Sequence, residues 1–368
     1  MVRLAPARVG QRLDEVDTPA LVVELDAFER NLRTLADSVK GKKVRVRAHA
    51  KMHKCPEVAK RQMALGAVGV CCQKVSEAEA MVDGGVMDVL VSNEVVGATK
   101  IARLAELSKR AQVGVCVDSL ENLREIGKTG AKIDIYVELE VGMRRCGVEP
   151  GAPALDLVKE IEKHPSLRFA GLQAYHGRAQ HLRSTAERRA AIQGAARAVR
   201  TTEELLNKHG IEVPIVTGAG SGTYMLEVED GAWNEIQPGS YAFMDADYAR
   251  NAWEAPLPRF EHALFVLATV MSRPAPDRAI VDAGLKASSV DSGMPEIWRR
   301  EGLTYKSASD EHGWVEIAPG AKAPALGEKL LLVPGHCDPT VNLYDWYVCV
   351  RAGRVEALWP ITARGAVY

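Results

Sequence analysis

A chain of 368 residues, 47% hydrophobic and 26% charged with a formal net charge of -1, has the profile of an ordinary globular protein with room for one large domain and a smaller one. The near-zero charge gives no electrostatic reason to expect nucleic acid or an anionic membrane as partner, and no apolar run approaches the roughly 20 residues needed to span a bilayer. The opening segment carries charges throughout and lacks the apolar stretch of a secretory leader, so a cytoplasmic protein is expected.

In chain order, short β-branched apolar runs alternate with helix-period segments. Strands are expected at 44–50, 67–72, 88–92, 112–117, 133–140, 169–175, 213–217 and 235–241. Helical patterns over 98–110 (apolar at Ile101, Leu104 and Leu107), 119–129 and 186–209 lie between them, the last closed by Gly210. Eight strands that are mostly continuous apolar runs are what a closed parallel (β/α)8 TIM barrel needs; a doubly wound open sheet explains only five or six. Beyond Tyr248 the helical patterns nearly vanish. Short strands at 263–271, 278–282, 314–317, 329–333, 346–351 and 355–358, punctuated by Pro274, Pro276, Gly293, Pro295, Gly327 and Gly353, imply a second, all-β domain. The expected organisation is therefore an N-terminal segment, 1–26, pairing with the β domain, a barrel over 27–248 and a β domain over 249–368. The seven cysteines are odd in number and mostly sit inside apolar runs, which fits small buried hydrophobes rather than a disulfide framework.

Chemistry in such a barrel sits at the C-terminal ends of its strands. The first strand exits through His49, Ala50 and Lys51, where partial desolvation is expected to lower the lysine pKa and make the amine nucleophilic. The second exit carries Gln73, the fifth Arg144 and Arg145, and the sixth Tyr175, His176, Arg178 and His181. Two histidines and several arginines at one mouth suggest an acid–base group and anion-binding positions. The seventh strand runs into Thr217-Gly218-Ala219-Gly220-Ser221-Gly222-Thr223, and the eighth into Gly239-Ser240-Tyr241. Two neighbouring turns of small and hydroxyl residues can wrap a phosphate in backbone N–H groups. In the β domain, His336 and Asp338 are read as lying on an extended segment with both side chains on one face, a pair suited to Mn, Zn or Mg. Cys337 between them should face the other way.

The stretches DTPALVVELDAFERNL (17–32), RAHAKMHKCPEVA (47–59), GVCCQKVSEAEA (69–80), GLQAYHG (171–177), QPGSYAFMDADY (237–248) and PGHCDPT (334–340) together carry a family resemblance. The chain resembles the D-threonine aldolases and D-3-hydroxyaspartate aldolases, which belong with the D-serine dehydratases to the alanine-racemase-like enzymes of pyridoxal 5′-phosphate (PLP). The resemblance implies a PLP-binding barrel, a C-terminal β domain and a homodimer. It implies Lys51 as the Schiff-base lysine, His181 as general base, Arg145 at the cofactor ring, and His336 with Asp338 as ligands of a divalent metal. Gln73, Tyr175, Thr217, Gly239, Ser240 and Tyr241 fall where the family lines the cofactor and its phosphate. Gly218-Ala219-Gly220-Ser221 departs from the family's unbroken glycine run, which leaves the phosphate contacts open.

The implied reaction is retro-aldol cleavage of a D-β-hydroxy-α-amino acid to glycine and an aldehyde. D-threonine-type activity leads, with 3-hydroxyaspartate cleavage as the alternative if Arg144 or Arg178 grips a second carboxylate. Dehydratase chemistry is a third reading, disfavoured by Asp338 where the dehydratases place cysteine. A racemase or a non-catalytic PLP carrier is further off, since neither has use for a metal pair and the carrier usually lacks the β domain.

Overall fold

The computed structural model describes residues 4–368. Its first strand, β1 (Ala20–Glu24), is followed by eight parallel strands: β2 (Arg45–His49), β3 (Gly69–Cys72), β4 (Asp88–Glu94), β5 (Gln112–Val117), β6 (Ile133–Glu138), β7 (Leu167–Ala174), β8 (Val216–Gly218) and β9 (Glu235–Ile236). These eight close into a barrel in sequence order, with β9 returning to β2 through the pairs Arg45↔Glu235 and Val46↔Ile236. The closed barrel matches the expectation from strand count. Strands buried by helices outside and side chains inside have no solvent face, which is why runs such as 112–117 read as mostly apolar, while β2 carries Arg47 and His49 into the interior.

Two details differ from the sequence reading. The last barrel strand is two residues long instead of spanning 235–241, because Pro238 has no N–H for the ladder and the chain turns into a short helical turn at Ser240–Ala242. The expected strand at 213–217 begins only at Val216.

The long outer helix Thr185–Lys208 starts at a capping box: the Ser184 hydroxyl accepts the Glu187 N–H, and the Glu187 carboxylate accepts from Ser184. It ends where Gly210 takes φ +75°, a left-handed conformation that glycine adopts without a Cβ clash.

Beyond the barrel come β10 (Leu264–Ala275), β11 (Arg278–Val281), β12 (Glu296–Ile297), β13 (Leu303–Ala308), β14 (Gly313–Ile317), β15 (Lys329–Val333), β16 (Trp346–Arg351) and β17 (Arg354–Pro360). They form a nine-stranded sheet ordered β13-β14-β11-β10-β1-β16-β17, with β15 joining β10 and β12. The N-terminal β1 lies inside this sheet, antiparallel to β10 and parallel to β16. Strand β13 was not read from the sequence; its alternation of buried Leu303 and Tyr305 with exposed Thr304 and Lys306 is short and polar.

One apolar cluster spans both parts, joining Leu21, Val23 and Tyr347 of the sheet to Phe28, Ala48, Met52 and Phe243 of the barrel side. Backbone bonds fix the junction: Ala246 N–H donates to the Pro334 carbonyl (3.0 Å) and Asp247 N–H to the Gly335 carbonyl (3.2 Å). The buried carboxylate of Asp245 accepts the Cys337 N–H at 3.0 Å. These contacts carry His336 and Asp338 to the barrel mouth.

Candidate active site

The barrel interior is polar toward its C-terminal end. Lower down, buried Arg47 pairs with buried Glu235 (3.1 Å) and with partly exposed Asp88 (2.6 Å), and Arg45 adds a second cation on Glu235 (2.7 Å). Above them Thr217 donates to Glu235 (2.7 Å) and accepts from Gln237, whose amide also donates to Gln173 (both 2.8 Å). His49 is buried, and desolvation holds its pKa well below the ordinary value, so it is neutral. Its Nε2 lies 3.0 Å from the Gln73 amide, which also reaches Ser92. This network forms the floor of a cavity of about 290 Å³.

Lys51 stands on the turn after β2 and lines that cavity. Met52 lines it too, but His53 and Lys54 do not: His53 is buried, and the Lys54 ammonium is paired with Glu77 at 2.5 Å inside the protein. Lys51 Nζ lies 3.6 Å from Asp338 Oδ2. Burial alone pulls the ammonium pKa down, but the Asp338 carboxylate and the Tyr175 phenol outweigh it, so the net direction is up. This corrects the expectation of a lowered value: desolvation acts as foreseen, but an acid from the β domain opposes it.

Around the same cavity stand Gln73, Arg145, Tyr175, Arg178, His181, Gly220, Ser221, Gly239, Ser240, His336 and Asp338. The Arg145 guanidinium lies 5.7 Å from the Tyr175 ring centre and 3.7 Å from Glu138 Oε1. Ser221 Oγ accepts the Tyr241 N–H at 2.9 Å, which leaves the hydroxyl proton free to donate. At Gly239 a Cβ would sit 3.1 Å from the His49 carbonyl, so a side chain there would push the end of β2 aside by a few tenths of an ångström.

Three expected site residues are not brought to the cavity. Thr217 lies beneath it with its hydroxyl spent on Glu235 and Gln237. Tyr241 is buried, and its hydroxyl accepts from Gln62 at 3.2 Å. Arg144, exposed with φ +56°, is turned outward by its left-handed backbone and does not line the mouth. His176 does not line it either.

His336 and Asp338 come together, but for a reason other than the one read from sequence. The segment is not extended. His336 is the N-cap of a short helix, Cys337–Val341, and the first helical turn, not strand alternation, brings the pair together. His336 Nε2 lies 3.8 Å from Asp338 Oδ1, and Nδ1 lies 2.8 Å from Asp291 Oδ2. Cys337 points away, its thiol against the Met244 carbonyl.

His49, Ser92 and Gln237 stand at strand exits in the sequence but carried no role there, while Met143 and Tyr248 as cavity residues, and Asp247 and Asp291 as partners of the two histidines, were not foreseen. Asp247 and Tyr248 close the stretch QPGSYAFMDADY, and Asp291 falls in a further stretch of the same resemblance, VDAGLKASSVDSG (281–293), so the signal existed as motif membership without a role. All seven cysteines are free, and six are buried. Among the described residues, no helix is long and apolar enough to cross a membrane.

A family model described as alanine racemase, N-terminal domain, matches residues 23–247, and one described as putative serine dehydratase domain matches 263–350. The D-threonine aldolase of Arthrobacter sp. is 50% identical, covering 98% of this chain and 96% of that protein. The 3-hydroxy-D-aspartate aldolase of Paracoccus denitrificans (strain Pd 1222) is 46% identical, covering 99% and 96%. The crystal structure of D-threonine aldolase from Filomicrobium marinum superposes with a TM-score of 0.97 at 53% identity, covering 99% of this chain and 100% of that one.

Proposed function

This chain belongs to the alanine-racemase-like family and groups within it with the D-threonine and 3-hydroxy-D-aspartate aldolases; from that premise we propose that it cleaves D-β-hydroxy-α-amino acids to glycine and an aldehyde. The observation that carries the proposal is convergence. The Lys51 amine, His181 and a histidine–carboxylate pair from the other domain share a single cavity with two turns of small residues.

The residues fit both implied groups. For pyridoxal phosphate, Lys51 offers the amine, Ser221 a free hydroxyl proton, and Gly220, Gly239 and Ser240 a close backbone approach. For a divalent cation (Mn, Mg or Zn), Asp338 Oδ1 is buried without a hydrogen-bond partner, 3.8 Å from His336 Nε2. That separation is within reach of one ion with bonds of about 2.0–2.2 Å. When bound, the cofactor supplies an electron sink for the pair released at Cα, and the metal supplies Lewis acidity at the β-hydroxyl.

The chain's own residues supply the rest. Lys51 would hold the cofactor through its amine, which must first give up its proton and its pairing with Asp338. The neutral His49 and Gln73 beneath it add polar contacts without a second charge. Arg145 and Tyr175, which line the cavity, would flank the cofactor ring, and His181 would take the β-hydroxyl proton as the Cα–Cβ bond breaks. We also propose a cytoplasmic homodimer in which residues 27–248 carry the cofactor and residues 1–26 with 249–368 form the second unit.

A second reading, 3-hydroxyaspartate as the preferred substrate, is favoured by Arg178. It lines the cavity, and no ion pair is recorded for it among the described residues. The test is product analysis with D-threonine and D-3-hydroxyaspartate in the presence of Mn. Glycine supports the aldolase; a keto acid with ammonia replaces it with a dehydratase.

A further inference from the structure

His181 ends the short turn Gly177–His181 after β7, and its two ring nitrogens face different surroundings. Nδ1 lies 2.5 Å from Asp247 Oδ2. A carboxylate only accepts, so Nδ1 must carry the hydrogen, and in the neutral ring Nε2 keeps the lone pair. The other oxygen of Asp247, Oδ1, accepts from Arg183 at 2.6 Å and from Arg250 at 2.8 Å. Burial raises the Asp247 pKa, but the hydrogen bonds from Arg183, Arg250 and His181 outweigh it and bring it down to about 2, so the carboxylate is charged at any working pH.

The surroundings of this pair are cross-linked by hydrogen bonds. Arg183 also donates to the Asp247 carbonyl and to Asn251 Oδ1, both at 2.8 Å, and Asn251 holds the Gln180 carbonyl at 2.8 Å. The turn bearing His181 is thus tied to the segment bearing Asp247. Tyr248 packs its ring 5.4 Å from the imidazole. The Asp247 N–H donates to the Gly335 carbonyl, one residue before His336. One residue therefore touches the histidine on the barrel with its side chain and the His336–Asp338 loop with its backbone.

We propose that Asp247 is the positioning residue of this site: it fixes His181 as the Nδ1–H tautomer with the Nε2 lone pair available to the cavity, and registers that nitrogen against the His336–Asp338 pair. Arg183 and Arg250 act through it by holding the carboxylate in place. The inference rests on the reading of His181 as proton acceptor, but its tautomer half can be measured without turnover.

The experiment compares the holoenzyme with Asp247→Asn and His181→Gln. Imidazole nitrogen shifts are recorded on histidine-labelled protein, with His181→Gln assigning the resonance, and kcat and KM are measured with D-threonine. The native enzyme should show a protonated Nδ1 and an unprotonated Nε2 at His181. Asp247→Asn, whose amide can also donate, should lose that preference and lower kcat on the order of 10²-fold with KM changed less than about threefold, the scale of general acid–base catalysis. A native Nε2–H tautomer, or a variant with unchanged tautomer and kcat, overturns the proposal. If Asp247→Asn does not fold, Arg250→Gln must shift the same resonance and lower kcat several-fold; no change in either overturns it. Full activity in His181→Gln overturns the reading of His181 as the base while leaving the tautomer result to stand or fall alone.

Discussion

Replacing Arg178 with serine separates the two candidate substrates. The guanidinium lies on the same short turn as His181 and lines the cavity, with no ion pair recorded for it among the described residues. A substrate's second carboxylate therefore displaces no protein partner when it docks there. A hydrogen bond to a charged group contributes about 1.5–3 kcal/mol, but Arg178 is exposed and screened, which brings the expectation to about 1–2 kcal/mol. At about 1.4 kcal/mol per tenfold, Arg178→Ser should lower kcat/KM for D-3-hydroxyaspartate by roughly 5- to 30-fold and leave D-threonine within about threefold. The assay is glycine formation from each substrate at low and high salt, since a screened ion pair weakens as ionic strength rises. Arg144→Ser is the control: Arg144 does not line the cavity, so it should leave the ratio unchanged. Equal losses on both substrates, or a ratio insensitive to salt, would refute the clamp.

Lys51→Ala should abolish the visible absorbance of bound cofactor, and borohydride should then reduce no adduct; an adduct at another lysine would remove Lys51 from its role. Asp338→Ala deletes a buried oxygen that has no hydrogen-bond partner, so calorimetry should show divalent-metal affinity lowered at least tenfold, with unchanged affinity contradicting the ligand assignment. Glu227 is almost fully buried under the 217–223 turn, and burial pushes its pKa up to about 8, against a Thr223 hydrogen bond that lowers it. A carboxyl whose folded value lies above its unfolded value of about 4.3 contributes stability that is complete below about pH 4.3 and is lost as pH rises through the folded value. Glu227→Gln should thus flatten the fall in Tm between about pH 5 and 8 and stabilise the protein at the upper end by on the order of 1–3 kcal/mol; a pH profile parallel to the native one would count against it.

The barrel was legible because its signal is repeated. Each parallel strand is buried on both faces, so apolar runs such as 112–117 and 133–138 stand out, and the long helix after Ser184 carries its own start and stop signals. The short elements were not legible, since a two-residue strand at Glu235–Ile236 has no periodicity and depends on closure with β2 for its existence. In the site, Lys51 and Ser221 could be found because a strand exit and a small-residue turn are local features. The pKa direction of Lys51 could not, because the carboxylate that sets it lies 287 positions away in the chain, as the numbers of Lys51 and Asp338 show. Thr217 failed for the opposite reason: its local setting looked right, but its hydroxyl is spent inside the barrel on Glu235.

Asp338 is the residue on which the division of labour between the two domains turns. One oxygen faces the Lys51 ammonium at 3.6 Å, and the other lies 3.8 Å from His336 Nε2 without a hydrogen bond. A single carboxylate cannot fully serve both partners, so they are linked: whatever neutralises it from the His336 side weakens its hold on the lysine proton. Asp338 comes from the β domain, and the bonds from Ala246, Asp247 and Asp245 to residues 334–337 hold it at this position. Loosening that junction should therefore disturb the lysine and the metal pair together, whereas damage to either domain's own core should not single them out.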